Sequence, residues 1–543
     1  MKAGCEHLRY RPLRAPSEDR AALVEPPWEE VSTLLAENLR RRAQHDCDLQ
    51  GCRLSELARR ARSELLAEAH CWTASYRDVD RPGPGSEERV FLAGHQPQLF
   101  HPGVWFKNFA LGALAAQHRA AAVNLMVDSD TMKQHTVLVP GGSVAQPQVE
   151  AVPLDRPLAP LPFEERRIAD REVLADFGRR AARRIAPLVP HPMLEAFWPL
   201  VLRRAGESDH LGACLAQARH QWEAAWGLDT LEIPQSRVCQ LESFAWFACH
   251  LLAQLPRLRT AHNEALAAYR RIHRVRSAAQ PVPDLAADGP WLEAPFWIWT
   301  ADDPRRRRLF VRQCRAEARL TDRERLEVGL PLEAEGPLGR AVDRWADLAR
   351  QGIRIRSRAL VTTLWARLAL GDLFLHGIGG AKYDQVTDAL ISRFFGLAPP
   401  GFMVLSATLL LPIPRQRPSA DELRKLQRRL RELTYHPERF MDARVGSASG
   451  SAEPSELIDA KRRWIATPQT PQNARTRCRE IRRINEALQP WVSDQRRQLQ
   501  QRLACVGAGL RAESVLASRE YSFCLYPEET LREFLAAWLP RGG

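Results

Sequence analysis

Two short apolar runs joined by a helix-length segment constrain this chain's fold more than anything else in it. Val90-Phe91-Leu92-Ala93 reads as a buried strand ending at Gly94, residues 103–118 as a helix, and 121–127 as a second buried strand stopped by Asp128. Strands apolar on both faces belong in a parallel sheet covered by helices, and a strand–helix–strand unit of this length makes a right-handed crossover. The rhythm returns late. Residues 359–370 are expected to be helical, 372–376 a buried strand, 382–395 a helix, and Phe402-Met403-Val404-Leu405 the start of another strand. The simplest assembly is an α/β fold: a Rossmann-like doubly wound parallel sheet, split in sequence by a long insertion.

The other boundaries follow from periodicity and composition. Residues 1–80 read as a helical N-terminal segment with amphipathic stretches at 28–44 and 54–72, closed by the break Arg81-Pro82-Gly83-Pro84-Gly85-Ser86. The core halves fall at 88–140 and 351–414. Between them, 141–350 is an inserted connecting region, with helices expected at 170–226 and 238–275 and a Trp-rich strand pair near 291–299 and 309–313. From 415 to 543 the chain reads as a helical, coiled-coil-like arm and tail. Leu423, Leu426, Leu430 and Leu433, then Ile481, Ile484 and Leu488, form its apolar stripes, and 447–455 is a small-residue linker. Such an arm suits dimerisation.

Composition narrows the function classes. Hydrophobic residues at 45% and charged residues at 26% exclude a wholly disordered chain. No run approaches the roughly 18–20 apolar residues that a membrane span needs. The start of the sequence has no apolar signal region, so a cytoplasmic protein is expected. Eleven cysteines at irregular spacing, with no CxxC pair, argue against a disulfide framework and a structural zinc site. Of the net charge of +13, residues 415–520 hold 22 Lys and Arg against 13 Asp and Glu, or +9. Those charges are interspersed as on a solvated helix face, which argues against nucleic acid as the partner. Only six of the 78 basic residues are lysines, and three of these, Lys107, Lys133 and Lys382, fall in segments that look chemical on other grounds.

The first such segment is Gly94-His95-Gln96 through His101-Pro102-Gly103, followed by Lys107, at the carboxyl end of the first strand, where open α/β sheets bind ligands. His95 and His101 are the catalytic candidates, Gln96 a substrate ligand, and Gly94, Gly103 and Lys107 part of an anion or nucleotide site at the next helix start. The alternative is that both histidines only cap turns. The second is Asp128-Ser129-Asp130, whose strand-end carboxylates suit a substrate amine; without HExxH or other ligand spacing, no metal is expected. The third is His376-Gly377-Ile378-Gly379-Gly380-Ala381-Lys382-Tyr383-Asp384. Gly377, Gly379 and Gly380 let a backbone approach an anion, while His376, Lys382, Tyr383 and Asp384 are substrate-binding candidates. It is neither a Walker loop nor the dinucleotide fingerprint. Arg354, Arg356 and Arg358 could hold a carboxylate or phosphate, but arginine is abundant everywhere here. Trp291, Trp297 and Trp299 read as core or as a wall of the insertion.

The order of these segments resembles the BshC family, the cysteine-adding enzymes of bacillithiol synthesis. Gly94-His95-Gln96 through Gly103 is similar to that family's glutamine-rich loop, Asp128-Ser129-Asp130 to its acidic strand end, and Gly379-Gly380-Ala381-Lys382-Tyr383 to its late glycine loop. Phe395-Gly396, Pro400, Ser406-Ala407-Thr408-Leu409 and Arg519-Glu520-Tyr521 continue the match in order. The resemblance implies a core similar to class I aminoacyl-tRNA synthetases and a homodimer through the arm. It also implies a ligase forming an amide between an amino acid, cysteine in the family, and the amine of a sugar conjugate. The late loop lacks the family's Pro and Glu and carries Lys382 instead, so a divergent member acting on another amine is expected. The cofactor is not fixed by the residues; ATP is the candidate. The alternatives are a nucleotidyltransferase of the HxGH-type superfamily and a non-catalytic dimer that binds nucleic acid or another partner through 415–520.

Overall fold

The computed structural model describes residues 12–80, 89–415, 418–441 and 454–540. The break expected at 81–86 lies outside them, as does the 447–455 linker up to Pro454 and Ser455, which open a helix. The chain forms two compact units. One comprises Met1–Val139, Glu150–Pro412 and Arg519–Gly543, the other Pro140–Val149 and Ile413–Ser518.

The principal strands of the first unit are, in chain order, β1 (Ala21–Glu25), β2 (Val90–His95), β3 (Ala121–Met126), β4 (Leu231–Pro234), β5 (Trp291–Thr300), β6 (Arg307–Gln313), β7 (Ala318–Thr321), β8 (Glu327–Leu330), β9 (Ile353–Ser357), β10 (Leu373–His376) and β11 (Met403–Thr408). Five of its helices matter here: α1 (Leu54–Ala74), α2 (Pro102–His118), α3 (Leu211–Ala225), α4 (Ala359–Trp365) and α5 (Ile378–Leu390). The central sheet has the order β1-β11-β10-β2-β3-β4. All neighbours are parallel except the edge strand β1, which runs antiparallel to β11. The chain progresses outward from β2 through β3 to β4 on one side and from β10 to β11 on the other, so strand order reverses between β2 and β10.

The apolar runs account for this sheet. Every residue of β10 and β11 is buried, as is all of β2 except Gly94, which suits strands covered on both faces. Helix α2 comes unusually close to β11. A β carbon on Gly103 would stand 2.1 Å from the Ala407 carbonyl oxygen, so only glycine allows that approach. The strand starts are tied by Asp372, whose carboxylate accepts from the Val90 N–H at 2.9 Å, from Arg62 at 3.0 Å and from Arg42. Arg62 on α1 thereby fastens the N-terminal helices to the sheet.

The Trp-rich pair is part of a second, antiparallel sheet ordered β8-β7-β6-β5-β9. Two strands of the central sheet lie outside the expected core halves. β4 sits inside the stretch read as an insertion, and β1 lies in the stretch read as helical. β4 is four residues between helices, too short to show a period, and β1 is half-buried throughout.

In the second unit, α6 (Ala420–Tyr435), α7 (Pro454–Ala466), α8 (Ala474–Leu488) and α9 (Ser493–Leu516) bury Leu426, Leu433, Ile484 and Leu488 from the expected stripes. Lys461 is also buried there, donating to the Tyr435 carbonyl and the Glu438 carboxylate, each at 2.7 Å. Among the described residues no helix is long and apolar enough to cross a membrane.

Candidate functional site

Where strand order reverses in an open parallel sheet, the flanking loops diverge and leave a crevice at the carboxyl ends of the strands. Here a cavity of about 350 Å³ lies at those ends. Gly94 is the next-to-last residue of β2, Asp130 follows β3, and His376 ends β10; all three line it, together with Gly380 on α5. The segments around residues 94, 130 and 380 therefore share one chamber, of the size that takes a small molecule.

The His376 side is rigidly built. Its Nε2–H donates to the Asp384 carboxylate at 2.7 Å, and Arg367 donates to the same oxygen at 2.8 Å and to Asp388 at 2.6 Å. Asp384 and Arg367 are buried. Burial alone would raise the Asp384 carboxyl, but Arg367 and His376 together hold it well below the usual carboxylate range. Burial lowers His376 against the pull of Asp384, so the imidazole is neutral with its proton on Nε2. Nδ1 is left as an acceptor. Asp384 is thus a positioning residue for His376, not a wall of the cavity.

The opposite wall comes from the second sheet. Arg306 and Arg358 stack on Trp297, their guanidinium carbons 4.3 and 4.1 Å from the ring centroid. Arg306 donates to Asp130 at 3.0 Å, and Gln96 donates to the other Asp130 oxygen at 2.5 Å, so the substrate-binding candidates Gln96 and Asp130 are in contact. Arg358 donates through Nη1 to the fully buried Glu293 at 2.8 Å. Its Nε and Nη2 are buried with no hydrogen-bond partner. An unmade bond on a buried charged donor costs about 1–3 kcal/mol or more, so this group stands out. His262 also lines the chamber and is held neutral by burial.

The remaining expected site residues lie elsewhere. Asp128 lines a separate, larger cleft of about 1250 Å³ with Glu164, Arg356 and Ser236. It accepts from the Ser236 N–H at 2.9 Å, and burial beside Glu164 pushes its carboxyl up to about 7. His95 is buried edge-on against Phe100, with Nδ1–H donating to the Gln96 carbonyl at 3.1 Å; burial holds it neutral, and it lines neither cavity. His101 is the N-cap of α2: Nδ1 accepts from the Gly103 N–H at 3.1 Å, and burial lowers its pKa to about 4. Gly103 faces β11, leaving no room there for an anion. Lys107 is buried and donates to the Gly94 carbonyl at 2.5 Å; burial lowers its ammonium to about 8. Lys382 and Tyr383 are exposed on α5 and do not line the cavity. A β carbon on Gly377 or Gly379 would meet no neighbouring group within 4 Å at the start of α5, where no side chain caps the helix.

Sequence reasoning ranked Arg358 and Trp297 low and passed over Arg306 and His262. Only pairing of β5 with β9, in the register Phe296↔Ser357, brings the Trp297 and Arg358 region beside the chamber. Among the described residues no group of three or more His, Cys, Asp or Glu is placed to hold a metal ion. No family model matches the chain, and no curated protein matches it.

Proposed function

We infer that the chain is an enzyme of the ligase class that joins a carboxylic acid to a small-molecule amine, on a Rossmann-like core of the kind found in class I aminoacyl-tRNA synthetases. It would be a divergent relative of the BshC family. One observation carries this reading: Gly94 and Gly380, from opposite halves of the core, line the same cavity where strand order reverses. Substrates held together at such a point react as if at very high concentration.

The roles differ from those expected of the histidines at 95 and 101. His376 is the general base in this reading. Its Nδ1 takes the proton from the amine as the nitrogen bonds to the activated acyl carbon and the leaving group departs with the electron pair. Asp384 holds the imidazole in the required tautomer and stabilises the cation that forms, as the carboxylate does in a hydrolase triad. Asp130, steadied by Gln96 and Arg306, retains acceptor capacity for the amine. ATP supplies the activation when bound, and the uncapped start of α5, open beside Gly377 and Gly379, fits a phosphate.

The test offers the purified protein ATP, carboxylic acids including cysteine, and amino-sugar acceptors, then follows phosphate or pyrophosphate release and the product mass. An amide product is expected, with turnover falling about 10²–10⁴-fold in His376→Ala. Full turnover in that variant would falsify the role of His376. A gain of one adenylyl group on the acceptor, without an amide, would replace ligation by nucleotidyl transfer.

A further inference from the structure

The chamber carries information about what enters it. Much of its lining is apolar, including Leu125, Val282, Leu285, Leu360 and Phe374, with Trp297 forming one face. Its charged lining groups are Arg306, Arg358 and Asp130, with the buried Glu293 carboxylate bonded to Arg358. Arg306 is already matched by Asp130, whereas Arg358 is anchored through Nη1 alone. Nε and Nη2 form one edge of a guanidinium, the edge that takes the two oxygens of a carboxylate side by side. On Arg358 both of these donors are without partners.

We propose that this chamber binds an apolar monocarboxylic acid, aliphatic or aryl-substituted, with its carboxylate on the Nε–Nη2 edge of Arg358 and its hydrocarbon part against Trp297, Leu360 and Phe374. The proposal rests on the ligase reading for its catalytic meaning and deepens it: the acyl donor is an apolar acid, not a small polar amino acid. Stacking on Trp297 and the Nη1 bond to Glu293 fix the guanidinium plane, so little ordering is needed on binding. A second carboxylate, or any strongly polar group on the acid, would be left unpaired against the hydrocarbon wall.

Calorimetric titration of the full chain with hexanoate and 3-phenylpropanoate tests it, with hexanol and inorganic phosphate as comparators. Both acids are expected to bind, and both comparators to bind at least about ten-fold more weakly. Arg358→Gln should weaken the acids by about ten-fold or more. Val282→Asp, at a half-buried wall position, should do the same by placing a like charge opposite the ligand, with a thermal melt showing that the variant is folded. Arg308→Gln, on the exposed side of Glu293, should leave binding within about two-fold. Absence of acid binding, equal binding by the alcohol, tighter binding of phosphate, or undiminished binding in both Arg358→Gln and Val282→Asp would each overturn the assignment. Acid binding without ATP-dependent amide formation would sink the ligase reading and leave this one standing. Ligation of polar acids alone would do the reverse.

Discussion

The imidazole of His376 lies over Gly380: its Nδ1 is 2.7 Å from where a β carbon on that glycine would stand. Since Nε2 is held by Asp384, the ring cannot swing aside without breaking a buried charge-assisted bond. Gly380→Ala is therefore expected to destabilise the protein by about 1–3 kcal/mol. Gly379→Ala, one residue earlier in α5 with open space around it, should be neutral or stabilising by up to about 1 kcal/mol. Urea unfolding of the two variants reads the difference, and equal losses would mean that the ring is not the obstacle.

Helix α2 offers a parallel pair. Gly103→Ala drives a methyl group into the Ala407 carbonyl, and backbone cannot step aside as a side chain can. A loss of about 2 kcal/mol or more is expected. Gly112→Ala meets only Leu228 and Thr230 side chains at 3.5 Å and should gain up to about 1 kcal/mol from helix propensity. Thermal melts of the two variants would separate in opposite directions from the parent.

Asp384→Asn leaves Arg367 buried with a weaker partner and is expected to cost about 3–5 kcal/mol near neutral pH. The Asp384 pKa is depressed in the folded state, so its contribution is complete above the ordinary carboxylate value of 3.8 and is lost as pH falls further. The gap between parent and variant should accordingly be wide at pH 7 and narrow progressively below about pH 4. A gap independent of pH would show that the charge on Asp384 does not matter.

His101 titrates in the opposite sense to a salt-bridged histidine. Its folded pKa, about 4, lies below the ordinary histidine value of 6.5, so the unfolded chain takes up the proton first. Stability is full above pH 6.5 and falls as pH drops toward 4. Asparagine also caps helices, so His101→Asn should keep most of the stability at pH 7 and flatten this part of the pH profile. His101→Ala loses the cap at every pH, by about 1 kcal/mol. Denaturation midpoints across pH 4–7 distinguish the three proteins.

What could be read from the sequence was whatever is encoded locally. The runs at 90–93, 121–127, 372–376 and 402–405 became strands because continuous apolar stretches can be buried on both faces only inside a covered sheet. β4 left no trace, since four residues between helices carry no period. The site was legible at its strand ends, where Gly94, Asp130, His376 and Gly380 converge, and illegible on its far wall. Trp297, Arg306, Arg358 and His262 reach the chamber through pairing and packing across long sequence distances, which no local pattern records. His101 and Gly103 misled for a related reason. A helix start that presents a histidine and a glycine looks the same in sequence whether it awaits an anion or is closing its own cap against a neighbouring strand.

β1 pairs with β11 in the register Ala21↔Thr408, so the first-made strand of the sheet faces the last-made one. On the ribosome this strand must wait, its backbone donors and acceptors unclaimed, until the 377 residues between Glu25 and Met403 have been made. Loop closure over that distance makes it a late event in folding, and a nascent chain arrested before residue 403 would carry an exposed ribbon open to mispairing with other nascent chains.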